Sequence, residues 1–255
     1  MLRDNIVALR KQKPILLMPH LVLGYPSFDE NLKMIRTMVE AGAEIIELQI
    51  PFSEPMSDGP VILRANDLSL KNGTSTSKCL EFCQKVCAEF KDTIFVFMTY
   101  YNILFSYGVD KFISRAQQAN IQGLIVPDLP PEEGAEYIES CKNRGMSPIF
   151  IFAPTHSEER LRAISEYSQG MVYGVGRKGV TGIKTEFDSS LHGLIERYRK
   201  ATDLPLALGF GVQEKGDVAA LVGSVDIAVI GTKLLSLQEE KGTAAVGEFL
   251  KTLRA

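Results

Sequence analysis

Short β-rich apolar runs alternate with longer helix-patterned stretches along the whole chain, and this alternation limits the fold more than any other feature of the sequence. Eight strand candidates are legible: Ile15 to Leu23, Ile45 to Ile50, Ile94 to Phe97, Gly123 to Val126, Pro148 to Phe152, Met171 to Val175, Leu204 to Leu208 and Ile227 to Ile230. An N-terminal helix is expected over about Leu2 to Lys13. Further helices are expected over Phe28 to Ala41, Lys78 to Phe90, Val109 to Ala119 and Glu132 to Arg144. Ser27 and Asp29 supply start signals for the first of these, and Gly145 follows a basic last turn. Strands alternating with helices imply a parallel sheet, either closed into a barrel or open and doubly wound. Periodicity does not separate the two. The segment LVLGYPSF after the first strand holds one glycine where a dinucleotide fingerprint needs three, which counts against a nucleotide-binding open sheet.

A chain of 255 residues, 45% apolar and 23% charged, builds an ordinary globular core of the size of one (β/α)₈ barrel. No Pro/Gly/Ser linker divides it, so residues 1–255 read as a single domain. The net charge of -3 offers no footprint for nucleic acid. The apolar run near Ile15 is too short to span a bilayer, and charges interrupt the N-terminus, so a cytoplasmic protein is expected. Cys79, Cys83 and Cys87 fall on one helical face; with no histidine nearby they read as a buried stripe rather than a metal site.

In a barrel, chemistry belongs at the C-terminal ends of the strands. Alternation in EIIELQI puts Ile45, Glu47 and Gln49 on one face and Ile46, Leu48 and Ile50 on the other. The apolar face meets the helices, so Glu47 points inward. Burial raises a carboxyl pKa and suits it to proton transfer; a structural carboxylate bonded to a tyrosine or to backbone fits the same position. Asp58 follows in PFSEPMSDGP, a loop shaped by prolines and glycine, or equally an ordinary turn. GVTG, LGFGV and IGT follow the sixth, seventh and eighth strands, and glycines there let backbone N–H groups approach a phosphate.

The motifs IELQIPFSEPMSDGP, MTYYNILFSYG, GLIVPDLPPEE, PIFIFAPT, GRKGVTG, LGFGV and VIGTKLL, in this order and spacing, resemble the tryptophan synthase α-subunit family over nearly the whole chain. The resemblance implies a single (β/α)₈ TIM barrel with an extra N-terminal helix. It also implies retro-aldol cleavage of indole-3-glycerol phosphate to indole and glyceraldehyde 3-phosphate. Glu47 matches the proton-shuttling glutamate, and Asp58 the aspartate that holds the indole N–H. Tyr100, Ile125, Tyr173 and His20 fall at substrate positions. Thr181 with Gly182, Phe210 with Gly211, and Gly231 with Thr232 match the mobile loop and the phosphate turns. Pro51, Glu54 and Pro55, the Asn102–Gly108 loop with Phe105, and Asp128 with Pro130 resemble the surface that docks on a β subunit in an α2β2 complex. That β subunit carries pyridoxal phosphate; no cofactor and no metal are expected in this chain.

Several positions depart from the family pattern. Gln49 stands for glycine, His20 for an aromatic residue, Val22 for threonine, Tyr25 for aspartate, Glu54 for aspartate, Gly176 for serine and Thr232 for serine. Gln49 either crowds the substrate or hydrogen-bonds Glu47, and glycine in its place is expected to leave activity equal or higher. His20 reads either as a structural histidine or as a substrate contact. The changes near the barrel mouth leave a second reading open, an α-like subunit that mainly docks on and activates β. A stand-alone lyase for a related phosphorylated indole is a third.

Overall fold

The computed structural model describes residues 1–56, 58–176, 189–209 and 211–254. Its strands are β1 (Leu16–Val22), β2 (Ile45–Gln49), β3 (Ile94–Met98), β4 (Gly123–Ile125), β5 (Ser147–Ile149), β6 (Ile151–Phe152), β7 (Val172–Val175), β8 (Leu206–Gly209) and β9 (Ile227–Ile230). All pairings are parallel, in the order β5-β4-β3-β2-β1-β9-β8-β7-β6. The two ends of that order are consecutive in sequence. The expected fifth strand, Pro148 to Phe152, is split at Phe150: its first half pairs with β4 and its second with β7. Pairing changes sides within one run, and that run is the seam at which the barrel closes.

Strands buried on both faces read as near-continuous apolar runs, and each face feeds a different core. Ile46, Leu48 and Ile50 pack outward among helix residues such as Met34, Ile35 and Met38, as alternation predicts. Ile45 turns inward with Leu16, Met18, Val96, Ile125, Ile149, Ala207 and Ile227. Leu2 and Ile6, from the helix Leu2–Arg10, join that inner cluster. A Cβ on Gly123 or Gly170 would lie 3.0 Å or 2.6 Å from Leu2 Cδ2, so both glycines make room for this plug at the N-terminal ends of the strands. The plug closes the floor and leaves the mouth open.

The surrounding helices follow their local signals. Ser27 Oγ accepts from Glu30 N at the start of Phe28–Glu40, and Ser75 Oγ accepts from Lys78 N at the start of Thr76–Glu89. Cys79, Cys83 and Cys87 form the buried stripe, and burial pushes the Cys87 thiol up to about 12. The segment expected as one helix from Glu132 is a short 3-10 turn, Pro131–Glu133, followed by the helix Ala135–Asn143. The segment read as a loop over Asn102–Gly108 is instead a helix, Tyr101–Tyr107. Its N-cap residue, Tyr100, makes no capping bond; Asp128 Oδ1 accepts from Tyr101 N at 2.9 Å from another loop. A helix Pro60–Lys71 also follows directly on Gly59, with proline in its first turn where a missing N–H is harmless.

Candidate active site

Strand register sets the first half of the site. His20 on β1 pairs with Glu47 on β2, and Val22 with Gln49. His20 and Glu47 therefore stand side by side at the C-terminal end of the barrel, each about 4% exposed. His20 Nδ1 lies 3.3 Å from Glu47 Oε1. Gln49, fully buried, donates from Nε2 to Asp58 Oδ2 at 2.7 Å, and the Tyr100 hydroxyl donates to the same oxygen at 3.3 Å. Gln49 thus bonds the aspartate rather than Glu47.

Asp58 arrives by a loop that two contacts shape. Phe52 N donates to Asn66 Oδ1 at 2.9 Å, which ties the loop to the helix Pro60–Lys71, and Asp58 N closes a turn onto Pro55 O at 3.0 Å. His20 Nε2, Glu47 Oε2 and Gln49 Oε1 are buried with no hydrogen-bond partner among the described residues. Polar atoms at such positions bond what enters the cavity, water or ligand.

The electrostatics follow from this crowding. Burial raises the Asp58 pKa above the ordinary carboxylate value; His20 and Gln49 pull against that shift, and Glu47 adds to it. Burial works against charge on His20, yet Glu47, then Asp58 and Gln49, outweigh it, and its pKa is raised. Burial, with Glu47 and Asp58, holds the Tyr173 phenol well above its usual range, so it stays a hydrogen-bond donor.

The second half of the site is built from backbone. Gly209 ends β8, and a Cβ there would fall 2.8 Å from Tyr173 Oη, so glycine is what admits the tyrosine. Gly211 has φ +86°, a conformation that favours glycine. Gly231 caps the helix Thr232–Lys241, whose first N–H groups and dipole favour an anion. Both halves line one cavity of about 650 Å³, within the range of small-molecule sites. His20, Glu47, Asp58, Ile125, Tyr173, Gly211, Gly231 and Thr232 all line it. Tyr100 is 1% exposed behind Asp58 and acts on the cavity through it. Thr181, Gly182 and Phe210 lie outside the described residues.

Sequence reasoning missed Ile62, Met98, Phe150 and Val229 as apolar walls, and Gly209 and Lys233 beside the glycine turns. VIGTKLL contained the Lys233 signal, a cation in the first turn after a candidate phosphate loop. Its Nζ lies over the Phe249 ring, 5.9 Å from the centroid. Among the expected docking residues, Glu54, Asn102, Phe105, Asp128 and Pro130 are exposed. Pro51 and Pro55 are not surface residues: both are buried and shape the loop that delivers Asp58. Met56, 77% exposed and at the rim of the cavity, and Phe105, 68% exposed, are the large apolar side chains these segments present to solvent, and Met56 was missed. Among the described residues no cluster of His, Cys, Asp and Glu could hold a metal ion, and no helix is long and apolar enough to cross a membrane.

Known proteins are similar to this chain over its whole length. The family model described as tryptophan synthase alpha chain matches residues 6–252. The tryptophan synthase alpha chain of Desulforapulum autotrophicum is 49% identical over 99% of this chain and 100% of its own length. That of Syntrophotalea carbinolica is 48% identical over the full length of both. Among solved structures, tryptophan synthase from Mycobacterium tuberculosis superposes with a TM-score of 0.92 at 30% identity, covering 99% of this chain and 96% of that one. A chain of the tryptophan synthase a2b2 complex from Pyrococcus furiosus gives 0.86 at 30% identity, covering 94% and 98%. Barrel, mouth and full-length similarity agree, and the chain belongs to the tryptophan synthase alpha chain family.

Proposed function

We propose that Glu47 and Asp58 carry the retro-aldol cleavage of indole-3-glycerol phosphate in this chain, releasing indole and glyceraldehyde 3-phosphate. The reaction needs one proton delivered to indole C3 and one removed from the hydroxyl on the adjacent side-chain carbon. The bond between C3 and that carbon then breaks, its electrons return to the indole ring, and the hydroxyl carbon becomes an aldehyde. The proton count is neutral, so one carboxyl group can serve as acid and then base. Glu47 fills that role: it is buried, faces the cavity and keeps Oε2 unpartnered. Asp58 accepts the indole N–H and offsets the positive charge that develops there as C3 is protonated. The apolar walls around Ile125, Met98 and Phe150 suit the indole ring. The turns at Gly211 and at Gly231 with Thr232 suit the phosphate, together with Thr181, Gly182 and Phe210.

The observation that carries this reading is the unpartnered Glu47 Oε2 opposite a glycine-built anion cradle in one cavity. No step calls for a cofactor in this chain; pyridoxal phosphate belongs to the β subunit. The exposed surface of Glu54, Met56, Asn102, Phe105, Asp128 and Pro130 docks on that subunit, and residues 1–255 work in the cytoplasm as one domain. Indole release from indole-3-glycerol phosphate, measured with and without a β subunit, tests the reading. Release that β strongly accelerates is expected. No release in either case, with β still bound and stimulated, would reduce the barrel to an activator.

A further inference from the structure

Register gives Glu47 a neighbour it cannot avoid. β1 and β2 are locked in parallel with His20 beside Glu47, both buried, and Gly231 closes the other side of His20 with no side chain of its own. His20 Nδ1 engages one carboxylate oxygen, Oε1, and leaves the other, Oε2, without a partner. Resting on the assignment of Glu47 as proton carrier, we propose that His20 is a positioning residue: it holds Glu47 by Oε1 so that Oε2 is the oxygen presented to substrate. A carboxylate held at one oxygen has one orientation left for the other, and orientation within a fraction of an ångström matters for proton transfer.

The pair has few competitors for charge. Glu47 from β2 and Asp58 from its loop face His20 with negative charge, and Gln49 is a neutral neighbour. Tyr173 from β7 lines the same cavity and stays protonated. On the β9 side the neighbours are Val229, Ile230 and Gly231, which do not titrate. Glu47 and Asp58 against one imidazole keep its proton to higher pH than an ordinary histidine, and the ring gives that proton up as pH rises.

Two measurements test the proposal on the whole chain. The chain has three histidines, so proton NMR can follow each ring, with His20→Asn identifying the His20 signal. Glu47→Gln is expected to lower the His20 titration midpoint by about one unit or more, a tenfold loss of proton affinity. In kinetics, His20→Leu is expected to lower kcat about 10–100-fold with KM nearly unchanged. His20→Asn, which still donates to Glu47 but does not titrate, recovers most of kcat and lacks the alkaline limb of the wild-type profile. A His20 midpoint unmoved by Glu47→Gln, or wild-type kcat and pH profile in His20→Leu, overturns the proposal. The NMR arm needs no turnover, so it separates failure of the pair from failure of the Glu47 assignment.

Discussion

Glu44 and Glu47 sit three residues apart, one just before β2 on the floor side and the other in the strand facing the mouth, and they are treated in opposite ways. Glu44, at the barrel floor, is saturated: Lys13 and Arg254 pair with it, and Oε2 accepts from Leu17 N at 2.9 Å. Asp226 on the same floor is held by Arg10 at 3.2 Å, Arg199 at 2.7 Å and Leu206 N at 2.9 Å. Burial alone would raise the Asp226 pKa, but the Leu206 N–H and the two arginines hold it below the usual range. At the mouth, Glu47 and Asp58 have one imidazole, one amide and one phenol between them, and Asp58 is pushed up rather than down. No arginine or lysine pairs with either among the described residues. Cations and backbone donors that saturate a buried carboxylate make it structural. Leaving an oxygen unsatisfied costs stability and keeps the group ready for a proton or a substrate bond.

The sharpest break between the two ends comes from matched substitutions. Glu47→Gln keeps shape and loses the proton carrier; lyase turnover is expected to fall at least about 10³-fold, read as indole release. Glu44→Gln strips the floor of a charge and leaves Lys13 and Arg254 facing a neutral amide. With both cations partly exposed, a loss of about 1–3 kcal/mol is expected in denaturant unfolding, below that of a fully buried pair, with turnover per folded molecule retained. The smallest effect concerns Gln49. Its bond to Asp58 is one that glycine could not make, which argues for a loss where the sequence alone suggests that glycine serves as well. Gln49→Leu removes a donor that pulls the Asp58 pKa down, so the acid limb of kcat/KM moves to higher pH. A loss of about 3–10-fold near pH 6, shrinking toward pH 8, is expected from one lost hydrogen bond to a charged group. A pH-independent loss would assign Gln49 to shape rather than charge.

The inward direction of Glu47 was legible because strand alternation is a local signal that the barrel obeys. The glycine turns were legible for the same reason: strand end, glycine and helix start are contiguous in sequence. What stayed hidden depends on partners distant in the chain. The helix Tyr101–Tyr107 looks like loop because its cap is Asp128, on another strand's loop. The helix Pro60–Lys71 was masked by a Gly-Pro pair that also spells a turn. Gln49 was placed correctly on the inner face but given the wrong partner, since the approach of Asp58 is set by the Asn66 bond to Phe52 N. Pro51 and Pro55 look like docking surface because their motif is exposed in part, yet both prolines are buried.

The contrast between floor and mouth is tested most directly by the melting temperature of Glu47→Gln, measured beside its turnover. At a pH above the His20 titration, the imidazole is neutral and its link to Glu47 adds no charge stabilisation. Measured there, an unsaturated carboxylate kept for chemistry contributes little to the fold, so turnover should vanish while Tm stays within about 2 °C of wild type, the shift from roughly 1 kcal/mol or less. A Tm lowered as far as in Glu44→Gln, or turnover that survives the change, would contradict the account and make Glu47 one more structural carboxylate.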